Sequence, residues 1–427
     1  MRPKSSDIER SPRKVVITGI GLITPYGVGR ESSWQKLLTG HSSTRLLDDL
    51  SKQLNQPVVG GVIPDRQLSS TSVSSKHPFL KEPSITLALR ATEEAILDAG
   101  LNLDEMSKDS IGCVIGSSKG GMASFAQASE LRRMAPATEQ QVPDSFWLQC
   151  FPNAASHSVA AHFDLQGAAL TPVSACATGV SSVMRAAELI RDGVCDTVFA
   201  GSADASLLPT VLGSFQRMGV LAKDIQRPKE ACKPYDCRRN GFVVGEGAGI
   251  LVLESLEHAL NRNVIPYAEW LTGTCGSDST HLMQFDPAAE SLAKLISRLL
   301  RQTSVSPSEI DYINLHGTGT QINDLYETRA LHTAMGSFSK RISCSSLKGG
   351  MGHLLGAAGS VELGFTLLAM RDNLVPPTIN LKEPDPRCDL NYTPFTAESK
   401  EIKTALKLSF GFGGHLVAGI VRKWDHS

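Results

Sequence analysis

The chain repeats itself at long range. Residues 177–193 read ATGVSSVMRAAELIRDG, and residues 357–373 read AAGSVELGFTLLAMRDN. At a constant offset, Ala177 matches Ala357, Gly179 matches Gly359, and Arg191-Asp192 matches Arg371-Asp372. Ahead of each copy stands a second matching pattern. SIGCVIGSSKGG and EIDYINLHGTGT both read as a short apolar strand that runs into a Gly/Ser/Thr loop. An amphipathic helix is predicted before each, over 84–99 and 288–301. A duplicated unit limits the fold more than composition does, because two like pieces must bury like faces. Alternating strands and helices pack in α/β layers. The expected division is an N-terminal tail over 1–13, a first half over 14–260 and a second half over 261–427. A chain of 427 residues is long enough for both halves.

Further strands are predicted in KVVITGIGLITPYG, DTVFAGSADA and GAGILVLESL. The first ends in a glycine-rich turn, but Gly19 and Gly21 are not followed by a third glycine of a dinucleotide fingerprint. No acidic residue stands at the required distance either, so a Rossmann site is excluded. A net charge of −1 argues against nucleic acid as a partner. No apolar run reaches the length of a membrane span. The opening MRPKSSDIERSPRK has no apolar core and reads as a disordered tail rather than a signal peptide. Nine cysteines follow no framework of spacings, which suggests reduced thiols in the cytoplasm. Cys232 and Cys237 form a lone pair without a second, so no zinc is expected. No cofactor or metal is called for elsewhere.

Chemistry is expected on three loops at strand ends. In TPVSACATGV, Cys176 stands among small residues just before a predicted helix. A structural core thiol is one reading, since free cysteines are often buried. A nucleophile is the other: a helix start offers free N–H groups and a partial positive charge, which lower a thiol pKa. His316 lies between YINL and GTGT, beside Thr318 and Thr320. It is either a histidine bonded to nearby backbone or one placed for a ligand. His353 is surrounded by glycines, and Lys348, an ordinary surface lysine in most settings, precedes the same glycine run. One thiol, two imidazoles and a lysine on such loops point to thioester chemistry.

These residues carry a resemblance. From about Lys14 to Lys423 the chain resembles the elongating, synthase II-like β-ketoacyl-acyl carrier protein synthases of the thiolase superfamily. The motifs are VVITGIGLITPYG, SACATG, KPYDCRRNGFVVGEGAG, HGTGTQIND, SSLKGGMGHLLGAAG and SFGFGG. The resemblance implies a five-layer αβαβα sandwich of two similar halves, usually a homodimer. It implies a decarboxylating Claisen condensation between an acyl-Cys176 thioester and malonyl-acyl carrier protein, without cofactor. His316 and His353 would bind the malonyl thioester carbonyl and stabilise the enolate. Lys348 would support them, with Glu362 beside it. The N–H groups of Cys176 and Phe412 would form the oxyanion hole, and Phe412 would gate the site. Lys119, Phe215 and Phe242 would border the acyl chain.

The chain departs from the resembled pattern in three places. His415-Leu416 follows GFGG where Thr-Asn is common. Asn240 replaces an aspartate. Lys119, in GSSKGG, stands where an apolar residue usually borders the acyl tunnel. Two other readings stay open: an acyltransferase that does not decarboxylate, and a partner subunit. The first is weakened by the pair His316 and His353, the second by Cys176.

Overall fold

The computed structural model of the chain describes residues 13–64, 82–134 and 148–425. The tail expected over 1–13 lies, Arg13 apart, outside them. Strand β1 (Val15–Thr24) is buried along its whole length. Its run of Val, Ile and Leu lacks polar alternation, as expected of a strand covered on both faces. Gly19 and Gly21 belong to this strand and not to a ligand loop. A Cβ at either would run into backbone carbonyls of Ala95 or Ala91 on α1 (Pro83–Asp98). Their role is to let that helix lie close on the sheet.

The first half contributes β1, β2 (Ile111–Gly116), β3 (Ala169–Leu170), β4 (Thr197–Asp204) and β5 (Gly247–Ser255). Their order is β1-β5-β4-β2-β3. The first two pairings are antiparallel and the last two parallel. The second half contributes β6 (Ala268–Ser277), β7 (Tyr312–Asn314), β8 (Ser343–Ser345), β9 (Thr404–Gly411) and β10 (His415–Lys423). Their order is β6-β10-β9-β7-β8, with the same sequence of directions. The repeat in the sequence is therefore a repeat of topology. The two sets join where β1 meets β6, at Val16 opposite Glu269 and Ile17 opposite Ala268.

Helices α1 and α2 (Ala154–His162) cover the outer face of the first set. Helix α4 (Glu290–Thr303) covers the second, with α5 (Gln321–Met335) packed beside it. Helix α4 begins two residues later than predicted, because Ala289 takes a left-handed φ of 56°. Between the two sets run α3 (Thr178–Arg191) and α6 (Ala358–Asp372), the helices of the sequence repeat, each touching strands of both halves. The layers are helix, sheet, helix, sheet, helix. The central pair meets backbone to backbone. A Cβ on Gly359 would stand 2.8 Å from the nitrogen of Val180, and one on Gly179 would collide with that of Ser360. Among the described residues no helix is long and apolar enough to cross a membrane.

Candidate active site

The two central helices open on matching turns, Ala175–Ala177 and Leu355–Ala357. Ala175 and Leu355 both have φ 49°. A side chain in that region costs on the order of 1–3 kcal/mol, which the surroundings must offset. At the first turn, the Thr178 hydroxyl donates to Ala175 O (2.7 Å) and accepts from the Ser174 N–H (2.9 Å). Cys176 is thereby presented at the start of α3, where it is 7% exposed. Gly411, at the end of β9, backs onto the turn: a Cβ there would stand 3.1 Å from the Cys176 nitrogen. This brings Phe412 beside the thiol.

The expected lowering of the thiol pKa by the helix start needs correction. Burial pushes the Cys176 thiol up to about 11, against the opposing pull of Lys119 and Lys348. The field of α3 acts in the same direction as the two lysines. Burial wins, so the resting nucleophile is the thiol and its proton must leave during acylation.

Cys176, His316 and His353 line one cavity of about 470 Å³. His316 follows β7. Glu327 on α5 accepts from the backbone N–H groups of His316 (2.7 Å) and Gly317 (2.9 Å), and from the Tyr235 hydroxyl (2.6 Å). Burial raises the Glu327 carboxyl to about 6 in spite of these donors. His353 follows the one-turn helix Lys348–Met351, and its N–H donates to Val243 O (2.7 Å). The two rings meet edge to face, with centroids 5.3 Å apart at 83°. Each Nδ1 is buried and has no hydrogen-bond partner among the described residues, which leaves Nε2 as the nitrogen for the cavity. Burial, reinforced by the charge of Lys348, holds both imidazoles well below the usual histidine range. Both are neutral at pH 7, and each has one N–H to give.

Lys348 is not a surface lysine. It is fully buried and donates to Glu362 Oε1 at 2.6 Å. Thr318 and Thr320 line the cavity, and their hydroxyls share a hydrogen bond of 3.0 Å. Of the acyl-pocket candidates, Phe242 lines the cavity. Phe215 lies behind, 5.5 Å from Phe242 and 6.4 Å from Phe412 between ring centroids. With Leu355, Val211 and Leu212 these rings form an apolar cluster that includes Cys176. Lys119 stands at its edge, with its ammonium 5.9 Å from the Phe215 centroid. It neither snorkels freely nor lacks partners: it donates to Ser118 Oγ (2.7 Å) and Ser206 Oγ (3.3 Å), both of which donate to Asp204. His415, the departure in the gate loop, is exposed at the start of β10. Asn240 accepts from the Lys223 N–H (3.0 Å).

Two family models match in succession: Beta-ketoacyl synthase, N-terminal domain, over residues 12–259, and Beta-ketoacyl synthase, C-terminal domain, over residues 267–382. The chain belongs to the beta-ketoacyl synthase family. Among its relatives is the 3-oxoacyl-[acyl-carrier-protein] synthase 2 of Coxiella burnetii, 34% identical over 94% of this chain and 96% of that protein. The mitochondrial 3-oxoacyl-[acyl-carrier-protein] synthase of Arabidopsis thaliana is 35% identical over 96% of this chain and 93% of its own length. A type II PKS ketosynthase, solved with its acyl-carrier protein and bound to the hexaketide, superposes with a TM-score of 0.89. It is 31% identical over 97% of this chain and 100% of its own. The layered architecture is the thiolase-like fold of these ketosynthases. As a beta-ketoacyl synthase the chain is an acyltransferase that forms carbon–carbon bonds by decarboxylative condensation.

Three polar residues of this synthase's site escape the sequence reading. Lys407 on β9 donates to Glu362 Oε2 (2.5 Å) and Asn314 Oδ1 (2.6 Å). Glu327 anchors the His316 loop. Asp204 collects Ser118, Ser206 and the Gly356 N–H (3.2 Å). Lys407 alone leaves a usable signal: in TALKLSF a cation interrupts an apolar strand, and a buried charge requires a partner.

Proposed function

We propose that this synthase condenses an acyl group held on Cys176 with a malonyl group delivered on acyl carrier protein, giving 3-oxoacyl-acyl carrier protein and CO2 in fatty acid or polyketide elongation. The observation that carries the reading is a buried thiol at a helix start that shares one cavity with two neutral histidines. In the first step Cys176 Sγ attacks the acyl thioester. The carrier thiolate leaves and takes up the proton that Cys176 gives up. In the second step the C–C bond to the malonyl carboxylate breaks. CO2 departs, and the electron pair spreads onto the thioester oxygen. The Nε2–H groups of His316 and His353 stabilise that oxyanion. The enolate carbon then attacks the acyl carbonyl, whose oxyanion is held by the N–H groups of Cys176 and Phe412. Cys176 leaves as thiolate and is reprotonated. Lys348 and Glu362 support the histidines from behind, and Phe412 gates the acyl side.

The partner reading is supported by the similar ketosynthase solved with its carrier protein. Nine free cysteines support a reducing, cytoplasmic setting. A homodimer is supported by β3, which among the described residues is the outermost strand and pairs only with β2, and by the exposed apolar side chains of Leu148, Phe151 and Val173. The test is mass spectrometry after incubation with acyl carrier thioesters. Wild type gains the acyl mass on Cys176, and Cys176→Ala gains none. Acyl labelling that survives in Cys176→Ala would rule this nucleophile out.

A further inference from the structure

Glu362 serves two lysines. Its Oε1 accepts from Lys348 and its Oε2 from Lys407, and all three side chains are fully buried. One carboxylate cannot balance two ammonium groups. With both lysines charged, the Lys348–Glu362–Lys407 triad carries one positive charge in excess, in surroundings where a charge is costly unless paired. A further carboxylate that acts on Lys407, Glu327, is engaged by the His316 and Gly317 N–H groups and the Tyr235 hydroxyl. Among the described residues the other hydrogen-bond partner of Lys407 is neutral: Asn314 Oδ1. The amide of Asn314 is oriented in turn, since its Nδ2 donates to the Tyr312 hydroxyl (3.0 Å), which bonds Ser345 Oγ (2.8 Å). The acceptor side of Asn314 is thus built to face Lys407. None of the three charged groups lines the cavity; they stand behind the histidines. Their charge still reaches forward, since Lys348 and Lys407 both disfavour the protonated forms of His316 and His353.

We propose that Lys407 is a positioning residue for the decarboxylation step: through its shared hold on Glu362 it keeps the buried cluster one positive charge in excess, and that charge stabilises the anion left when CO2 departs. The inference rests on the condensation proposed above and adds a residue that no sequence motif marks. Substrate supplies the missing counter-charge, first as the malonyl carboxylate and then as the enolate oxygen. The charged or titratable groups around Lys407 are Glu362 on α6, Lys348 on the one-turn helix, Glu327 on α5, Tyr312 on β7 and the two histidines. Burial lowers the Lys407 ammonium to about 8, with Lys348 adding to the effect and Glu362 and Glu327 opposing it. The excess charge is therefore present at neutral pH and lost as pH rises through about 8.

The experiment preloads Cys176 with an acyl group, so that the thiol no longer titrates. It then follows CO2 release from malonyl carrier in a single turnover between pH 7 and 9. In wild type the rate constant falls roughly tenfold across this range, as expected for losing one charge near the reacting atoms. Lys407→Met is slow and flat over the same range. Lys407→Arg, which keeps its charge, is fast and flat. All three acquire the acyl mass on Cys176. A wild-type profile without the fall, or a Lys407→Met enzyme with wild-type rate and wild-type fall, overturns the inference. If Lys407→Met does not fold, the wild-type profile decides alone. If wild type takes up no acyl group, the condensation reading itself fails.

Discussion

A histidine that must donate to a developing oxyanion serves best when neutral, because its N–H is then fixed and no charge need be desolvated. His316 and His353 meet that condition by burial. His316→Ala and His353→Ala should each load acyl groups normally and lose about 100- to 1000-fold in condensation rate, the usual effect of one lost oxyanion donor. Rapid-quench kinetics with malonyl carrier separates the two steps, and a near wild-type condensation rate in either variant contradicts its role. The same burial leaves a mark on stability. In the unfolded chain these groups titrate near 6.5; in the folded chain they titrate well below. Between the two values the unfolded chain binds more protons, so this stability is complete above pH ~6.5 and declines as pH falls. The slope is up to about 1.4 kcal/mol per pH unit for each histidine. Melting temperatures of wild type and a His316→Asn/His353→Asn variant from pH 7 to 5 should show the shallower decline in the variant. Lys119 is a third residue with a measurable consequence. Its ammonium puts donors at the edge of the apolar cluster around Cys176, so Lys119→Ile should raise condensation of long saturated starters relative to short ones. An unchanged ratio, with wild type already accepting long chains, would remove Lys119 from the acyl pocket.

At the scale of elements, the site depends on where two helices begin. Gly359→Val should cost about 1–3 kcal/mol through overpacking against α3, and slow acylation of Cys176 by displacing its turn. Gly213, in the helix Pro209–Arg217, has no atom of the described residues within 4 Å of where a Cβ would stand. Gly213→Ala should stabilise by about 0.5–1 kcal/mol without touching acylation. Denaturant midpoints, with the acylation rate beside them, test both variants; equal effects would mean that the helix contact does not constrain the turn. The helices were legible in the sequence because their apolar period is regular and repeated. Cys176, His316 and His353 were legible because glycines mark the change from strand or turn to helix around each. The supporting charges were harder to read. Lys407 finds Glu362 across 45 residues, and Asp204 finds the Gly356 N–H across 152. Such pairings exist only once the sheet is assembled. The state of the Cys176 thiol was misjudged for the same reason: a helix start is visible locally, and the burial that outweighs it is not.

On the scale of the whole molecule, labour is divided between the halves. The first supplies Cys176 and Lys119. The second supplies His316, His353, Lys348, Glu362, Lys407 and Phe412. The strand order of the second copies that of the first, yet the position of the second turn that matches Cys176 is Gly356. In solution the protein should be a dimer, since among the described residues β3 pairs only with β2 and Leu148, Phe151 and Val173 are exposed. Sedimentation at micromolar concentration should give twice the chain mass. A monomer there would count against the proposed interface, and Val173→Glu should shift the balance toward monomer.

The contact of Gly179 with α6 and of Gly359 with α3 also governs how such a protein can be recombined. A crossover between the halves, in the stretch from 256 to 267, breaks no strand or catalytic loop and looks like the natural joint for a chimera of two relatives. It nevertheless puts the helix starts of two different parents in direct backbone contact, one carrying the nucleophile and the other none. Any parent with a larger side chain at either glycine would lever the thiol's turn away from histidines inherited from the other. Compatibility between donors is thus decided at two positions 180 residues apart, neither of which touches substrate.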